Sequence, residues 1–243
     1  MNKQIARYSK VPRLALVLFV LLLAGCGSRP RVGELRTESR SVELGSEESV
    51  NVKFNFGAGD LKVSGGAEKL LEAGFTYNVD ELKPEVKYTG GTLIIQQPDA
   101  EGLPKLTNIT DFRNEWDLSL NNDVPMNLSV DMGAGNSDLQ LSGLSLTGLD
   151  VTLGAGTSAI DLGRAWAKDL NVHIDTGAAT ITVILPKDVG VRVQIEAGPH
   201  TIEAPGLTQD GNTYTNSAYG VSDVTLQITI QAGVGTINLE VEE

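Results

Sequence analysis

The sequence predicts an all-β fold: a parallel β-helix or solenoid with coils of about 21 residues, and an antiparallel β layer at its N-terminal end. Three observations predict it. A short motif recurs at constant spacing, and apolar and polar residues alternate inside every copy. Glycine, 27 residues in 243, falls at one place in each repeat.

The motif is Val130-Asp-Met-Gly-Ala-Gly135, followed by copies beginning at Val151, Val172 and Val193, each 21 residues after the last. Ile228-Thr-Ile-Gln-Ala-Gly233 comes 35 residues later, as though 14 residues were inserted, and Phe54-Asn-Phe-Gly-Ala-Gly59 precedes the series. Aligned columns such as Met132, Leu153, Ile174, Ile195 and Ile230 stay apolar. Their neighbours, such as Asp131, Thr152, His173, Gln194 and Thr229, are polar. Period-two alternation places one face of each short strand inward, and stacked copies build apolar ladders with rungs ~4.8 Å apart. Antiparallel hairpins or a sandwich is the competing arrangement. Recurrence without reversal of order favours the coil.

Gly59, Gly135, Gly156, Gly177, Gly198 and Gly233 fall in this alignment where one short strand gives way to the next. A corner repeated in every coil asks for positive φ or close approach to a neighbour, and glycine supplies both. An anion nest of corner amides is the sharper alternative, but no basic column accompanies the glycines.

Between the first copy and the series lies a block of different pattern, about Glu68 to Asn122. Its strands are Phe75–Val79, Glu85–Tyr88 and Thr92–Gln96, with a Gly90-Gly91 hairpin turn, and a return strand begins at Trp116. This block is expected to close the solenoid's N-terminal edge, and the acidic end Glu240–Glu243 to protect the other. The insertion, about Gln209 to Ser222, is expected to project as a loop carrying Tyr214 and Tyr219.

The N-terminus reads as a targeting segment. Lys3, Arg7, Lys10 and Arg13 precede ten apolar residues, Leu14–Leu23, and Leu23-Ala24-Gly25-Cys26 follows. Ten helical residues span about 15 Å, half a bilayer core, so a signal peptide is expected rather than a permanent span. The expected boundaries are a signal peptide over 1–25, a lipidated tether over 26–41, an N-terminal β region over 42–122 and the solenoid over 123–243. Cys26 is the only cysteine, which excludes an internal disulfide and thiol-based metal or catalytic sites. From Cys26 onward 15 basic residues face 31 acidic ones, a formal −16. Such a surface disfavours nucleic acid and anionic headgroups, leaving the lipid as the membrane partner.

Leu23-Ala24-Gly25-Cys26 resembles the lipobox of bacterial lipoproteins, in which the cysteine takes the diacylglycerol. The Phe54–Asp60 copy, the later Gly-Ala-Gly coils, Leu185–Val191 and Gln231–Ile237 resemble the toast-rack lipoproteins over roughly Val42 to Glu243. That resemblance implies a β-solenoid related in its C-terminal region to LiaF-like cell-envelope stress regulators. It implies no catalytic residues, and its motifs are structural.

Paired carboxylates are the groups that glycan chemistry would need. In the 21-residue register Asp175 lies directly below Glu196, close enough for a shared calcium or coupled titration. No basic column stands beside them, and solvated carboxylates that happen to stack are the favoured account. His173 and His200 occupy different repeat positions without a second ligand at metal spacing. Trp116, Tyr214 and Tyr219 are the aromatic groups expected to reach a ligand, whereas Trp166 is expected to pack. No catalytic residue, metal site or cofactor is therefore assigned. The expected function is a non-enzymatic, lipid-anchored module facing the cell surface or periplasm, binding an envelope protein or glycan. The alternatives are an accessory sensor of envelope stress and, behind it, a glycan-active enzyme.

Overall fold

The computed structural model describes residues 32–98, 111–164 and 166–242. Fourteen strands follow one another there: β1 (Arg36–Val42), β2 (Val50–Gly65), β3 (Leu71–Tyr77), β4 (Glu85–Thr89), β5 (Thr92–Gln96), β6 (Asn114–Leu120), β7 (Met126–Gln140), β8 (Leu146–Asp161), β9 (Leu170–Leu185), β10 (Gly190–Ala197), β11 (His200–Glu203), β12 (Thr208–Asp210), β13 (Thr213–Thr215) and β14 (Thr225–Val241). A single 3₁₀ turn, Asp80–Leu82, joins β3 to β4, and there is no α-helix among the described residues.

Each repeat is one long strand bent at its glycine corner. In β8, Leu149, Val151 and Leu153 are buried before the corner, and Ser158 and Ile160 after it. The odd step from 153 to 158 changes which parity points inward, so both halves turn their apolar side to one continuous core. Ladder bonds continue into the returns: Leu141 N–H donates to the Asp161 carbonyl, and Leu162 N–H to that of Ile184. The result is the solenoid-like all-β fold that the period predicts.

The corner glycines form two columns, not one. Gly57, Gly133, Gly154, Gly177, Gly233 and Gly198 stack in one; Gly57 leaves no room for a side chain against the Gln97 amide, and each of the others none against the carbonyl of its neighbour. Two residues on, Gly59, Gly135, Gly156 and Gly235 have φ between 124° and 146°. A Cβ on Gly156 would stand 1.9 Å from the Gly135 carbonyl oxygen. The predicted set therefore divides: Gly59, Gly135 and Gly156 meet the conformational need, while Gly177, Gly198 and Gly233 meet the packing one. The fourth member of the second column is Ala179, and there the register changes: Val151 pairs with Ile174 rather than Val172. A slip of two residues keeps every inward position inward.

The order of strands also departs from the order of repeats. The sheet runs β1-β3-β6-β2-β7-β8-β9-β14-β10-β13-β12, so the C-terminal strand lies between β9 and β10. β14 pairs in parallel with β9 along one side and with β10 and β11 along the other. Proline explains the exchange. Pro199 has no N–H and breaks its repeat into two short strands, of which β11 suits an edge and pairs with β14 alone, whereas unbroken β14 fills an interior place. The acidic terminus therefore does not form the solenoid's outer edge. The insertion does not project either. β12 and β13 form a hairpin, β13 pairs antiparallel with β10, and Tyr214 is buried. Asn216 locks this cap: its Nδ2 donates to the carbonyls of Pro186 (3.0 Å) and Val189 (2.7 Å), and its Oδ1 accepts from Val191 N–H (3.0 Å).

At the other end β5 continues the first half of β2, with β4 beyond it, and β6 continues the second half. β3 and β1 then add antiparallel strands to β6. Strand β1 overlaps the segment expected to be tether, so the sheet begins at Arg36 rather than after residue 41. Trp116 fills the junction, edge-on to Phe56 (4.9 Å) and Phe75 (5.5 Å).

Candidate binding surface

Outward positions on the second halves of the long strands line up with those of the N-terminal cap. Thr37 faces Thr76, Thr76 faces Glu115, Glu115 faces Asp60, and Asp60 faces Asn136. Thr157, Thr180, Thr236 and Thr201 continue the row. Nine strands contribute to it, so it spans about 38 Å at the usual strand spacing. A second row two residues on runs Ser39, Gly74, Asp117, Lys62, Asp138, Ala159, Thr182, Asn238, Glu203. Short hydroxyl, amide and carboxylate groups dominate both rows, and Lys62 is the one cation in them.

Where the cap meets the solenoid, this face sinks into a groove of about 590 Å³ lined by β1, β3, β6, β2 and β7. Gly74 makes the depth, since a Cβ there would find nothing closer than the Asp117 carbonyl at 4.0 Å. Asn136 Nδ2 donates to Asp60 Oδ1 (2.9 Å), which fixes that carboxylate in the wall. Lys62 stands between Asp117 and Asp138 in the register. An adjoining hollow of about 650 Å³ shares Asp60, Glu115 and Asn136 and is also lined by Phe112 and Asn114. Asn114 is only 1% exposed; its Nδ2 donates to the Ala58 carbonyl, while its Oδ1 has no partner among the described residues.

The groove's outer rim is β1, and Glu38 holds it in place. Tyr77 Oη (2.5 Å) and Lys83 Nζ (2.7 Å) donate to Glu38 Oε1, and Arg40 donates to Oε2 (2.6 Å). The Lys83 hydrogen bond and then that of Tyr77 hold the Glu38 carboxyl below the ordinary carboxylate range. Burial, and then the bond to Glu38, push the Tyr77 hydroxyl up.

The residues singled out from the sequence fall elsewhere. Cys26 lies outside the described residues. Asp175 and Glu196 do not stack: Gln231 of the inserted β14 pairs with both, leaving two strand spacings, about 9.6 Å, between them. That separation removes the basis for a shared calcium or coupled titration. His173 and His200 sit on different strands, and no group of three or more potential metal ligands occurs among the described residues. Trp116, though only 2% exposed, lines the groove, whereas Tyr214 is a core residue rather than a ligand contact; Tyr219 is 39% exposed. Trp166 packs against the core and donates Nε1–H to the Leu162 carbonyl (3.0 Å). Sequence reading missed the two polar rows because each is assembled from strands distant in the chain.

Comparison with known proteins agrees with this architecture. The family described as "N-terminal domain of toast_rack, DUF2154" matches residues 31–184. A solved structure of a "putative cell adhesion protein" from Clostridium sporogenes is 34% identical, with a TM-score of 0.83 over 86% of this chain and 100% of that one. A "putative adhesin" from Bacteroides fragilis covers 87% of this chain at 11% identity, but its TM-score of 0.36 is too low to carry weight. No curated protein matches the chain. The name of the Clostridium protein fits a role in surface binding. By the extent of the match over 31–184 and its likeness to the Clostridium protein, the chain belongs to the toast-rack family.

Proposed function

We propose that this protein is a lipid-anchored, non-enzymatic module of the cell envelope that works by adhesion, binding through the outer face and its groove. The observation that carries the proposal is the groove itself: a recess in an otherwise regular β face, walled by short hydrogen-bonding side chains held in fixed register. Likeness to the Clostridium "putative cell adhesion protein" over that protein's whole length supports it. Lipid on Cys26 supplies the attachment, since acyl chains contribute ~0.8 kcal/mol per buried methylene.

The test of the anchor is growth of the producing cells with labelled palmitate, comparing wild type with Cys26→Ser. Label in the wild-type protein alone, with the variant released from membranes, supports the proposal. An acylated or membrane-retained variant overturns the assignment of the lipid to Cys26. Adhesion of the same cells to envelope material tests the binding role, which falls if cells lacking the protein adhere as well as wild type.

A further inference from the structure

We infer that the groove and the rows running from it take a polysaccharide bearing free amino groups, laid across the strands. The inference rests on the adhesive reading above and names its ligand class.

Geometry gives the first argument. The first row presents a polar side chain every ~4.8 Å across nine strands, and the second does so on all but Gly74 and Ala159. That step is close to the length of one sugar ring. Thr157, Thr180 and Thr201 are exposed, and their hydroxyls both donate and accept, as sugar hydroxyls do. A ligand made of repeating polyhydroxylated units matches a surface made of repeating hydroxyls and amides. A folded protein partner has no comparable period.

Charge gives the second. Asp60, Asp117, Asp138 and Glu115 line the groove with Lys62 as its single cation. Glu115 is ion-paired with Arg113 outside that lining. The remaining carboxylates exceed the one ammonium, so uronic or sulfated chains are repelled and ammonium groups attracted. Asn114 gives the third. Among the described residues its almost fully buried Oδ1 lacks a hydrogen bond beside the adjoining hollow, and a buried acceptor without a partner favours a ligand that brings a donor.

Position favours a polymer of the cell's own envelope. From Cys26 to the start of β1 at Arg36 the chain extends at most about 35 Å, and β1 is the groove's rim. An anchored molecule therefore holds the groove close to its bilayer.

The full processed protein in detergent is titrated with fluorescent β-linked oligomers of glucosamine and of N-acetylglucosamine. Oligogalacturonate and oligolysine of equal length serve as further ligands. The glucosamine oligomer is expected to bind about ten-fold more tightly than its acetylated counterpart at low salt, with the gap narrowing as salt rises. Asp60→Asn with Asp117→Asn is expected to remove about ten-fold of that affinity, while the exposed Asp175→Asn leaves it unchanged. Equal or tighter binding of oligolysine overturns the inference in favour of a basic peptide. Equal binding of oligogalacturonate overturns it as well.

Retention on isolated cell walls separates this inference from the reading beneath it. If the wild type is retained and the Asp60/Asp117 variant is not, yet no oligosaccharide binds, the ligand class is wrong and the binding surface stands. If the wild type is not retained and no oligosaccharide binds, both fall. Melting temperatures matching the wild type establish that the exposed substitutions leave the fold intact.

Discussion

Ser137 donates its hydroxyl hydrogen to Ser158 Oγ across 2.7 Å, and both side chains are buried. They occupy an inward column in which Leu61 precedes them and Ile181 follows. Each hydroxyl is tolerated in the core because the other is there.

The two single substitutions should therefore cost more than the double one. Ser158→Ala leaves the Ser137 hydroxyl buried without its acceptor, at about 1–2 kcal/mol, while Ser137→Ala with Ser158→Ala returns most of it. Urea denaturation of the three variants measures the cycle. Strict additivity would show that the bond contributes nothing.

Glycine substitutions should divide by position. Gly156→Ala combines a φ of 132° with a Cβ 1.9 Å from the Gly135 carbonyl oxygen, and is expected to cost about 3 kcal/mol or more. Gly74→Ala meets only ordinary contact and is expected to change stability by less than about 0.5 kcal/mol. Equal melting temperatures for the two would contradict the close stacking of the corners.

Acidification should loosen β1 first. Glu38 has its folded-state pKa lowered, chiefly by the Lys83 hydrogen bond and then by that of Tyr77. Its contribution is complete above the unfolded-state pKa and is lost as pH falls through the folded one. Protection of the Arg36–Val42 amides, measured against their intrinsic exchange rates, should fall below about pH 4 in the wild type. In Glu38→Gln it should already be low at neutral pH, and flat profiles for both would exclude this rim contact.

The C-terminal cap should depend on one side chain. Asn216→Ala removes three hydrogen bonds to the backbone of Pro186, Val189 and Val191, at an expected cost of about 2–3 kcal/mol. Limited proteolysis should then cut first within 204–224, and unchanged resistance would show that pairing of β13 with β10 suffices alone.

Much of this fold is legible in the sequence because burial enforces it. Columns such as Val151 and Leu153 alternate with polar residues wherever one face is covered, and that alternation survives any change of neighbour. The same property hides the rest. A register slip of two between β8 and β9 preserves the alternation, and β14 carries the same apolar columns as the repeats it separates. Only Pro199 hints that its own repeat belongs at an edge. Asp175 and Glu196 looked adjacent because counting by 21 residues assumes chain order. The polar rows were illegible for a related reason: Thr76, Glu115, Asp60 and Asn136 become neighbours through pairing, not through spacing in the chain.

The binding role is tested most directly by blocking the groove without unfolding the protein. Cells displaying Gly74→Phe with Thr76→Arg, which fill the recess, are compared in adhesion to isolated envelopes with cells displaying Thr152→Arg on the outer face of the other half-coil. Adhesion is predicted to fall about ten-fold or more in the groove variant, as for loss of a central binding anchor, and to hold in the control. Undiminished adhesion by a correctly folded, groove-filled protein would contradict the assignment of this face as the binding surface.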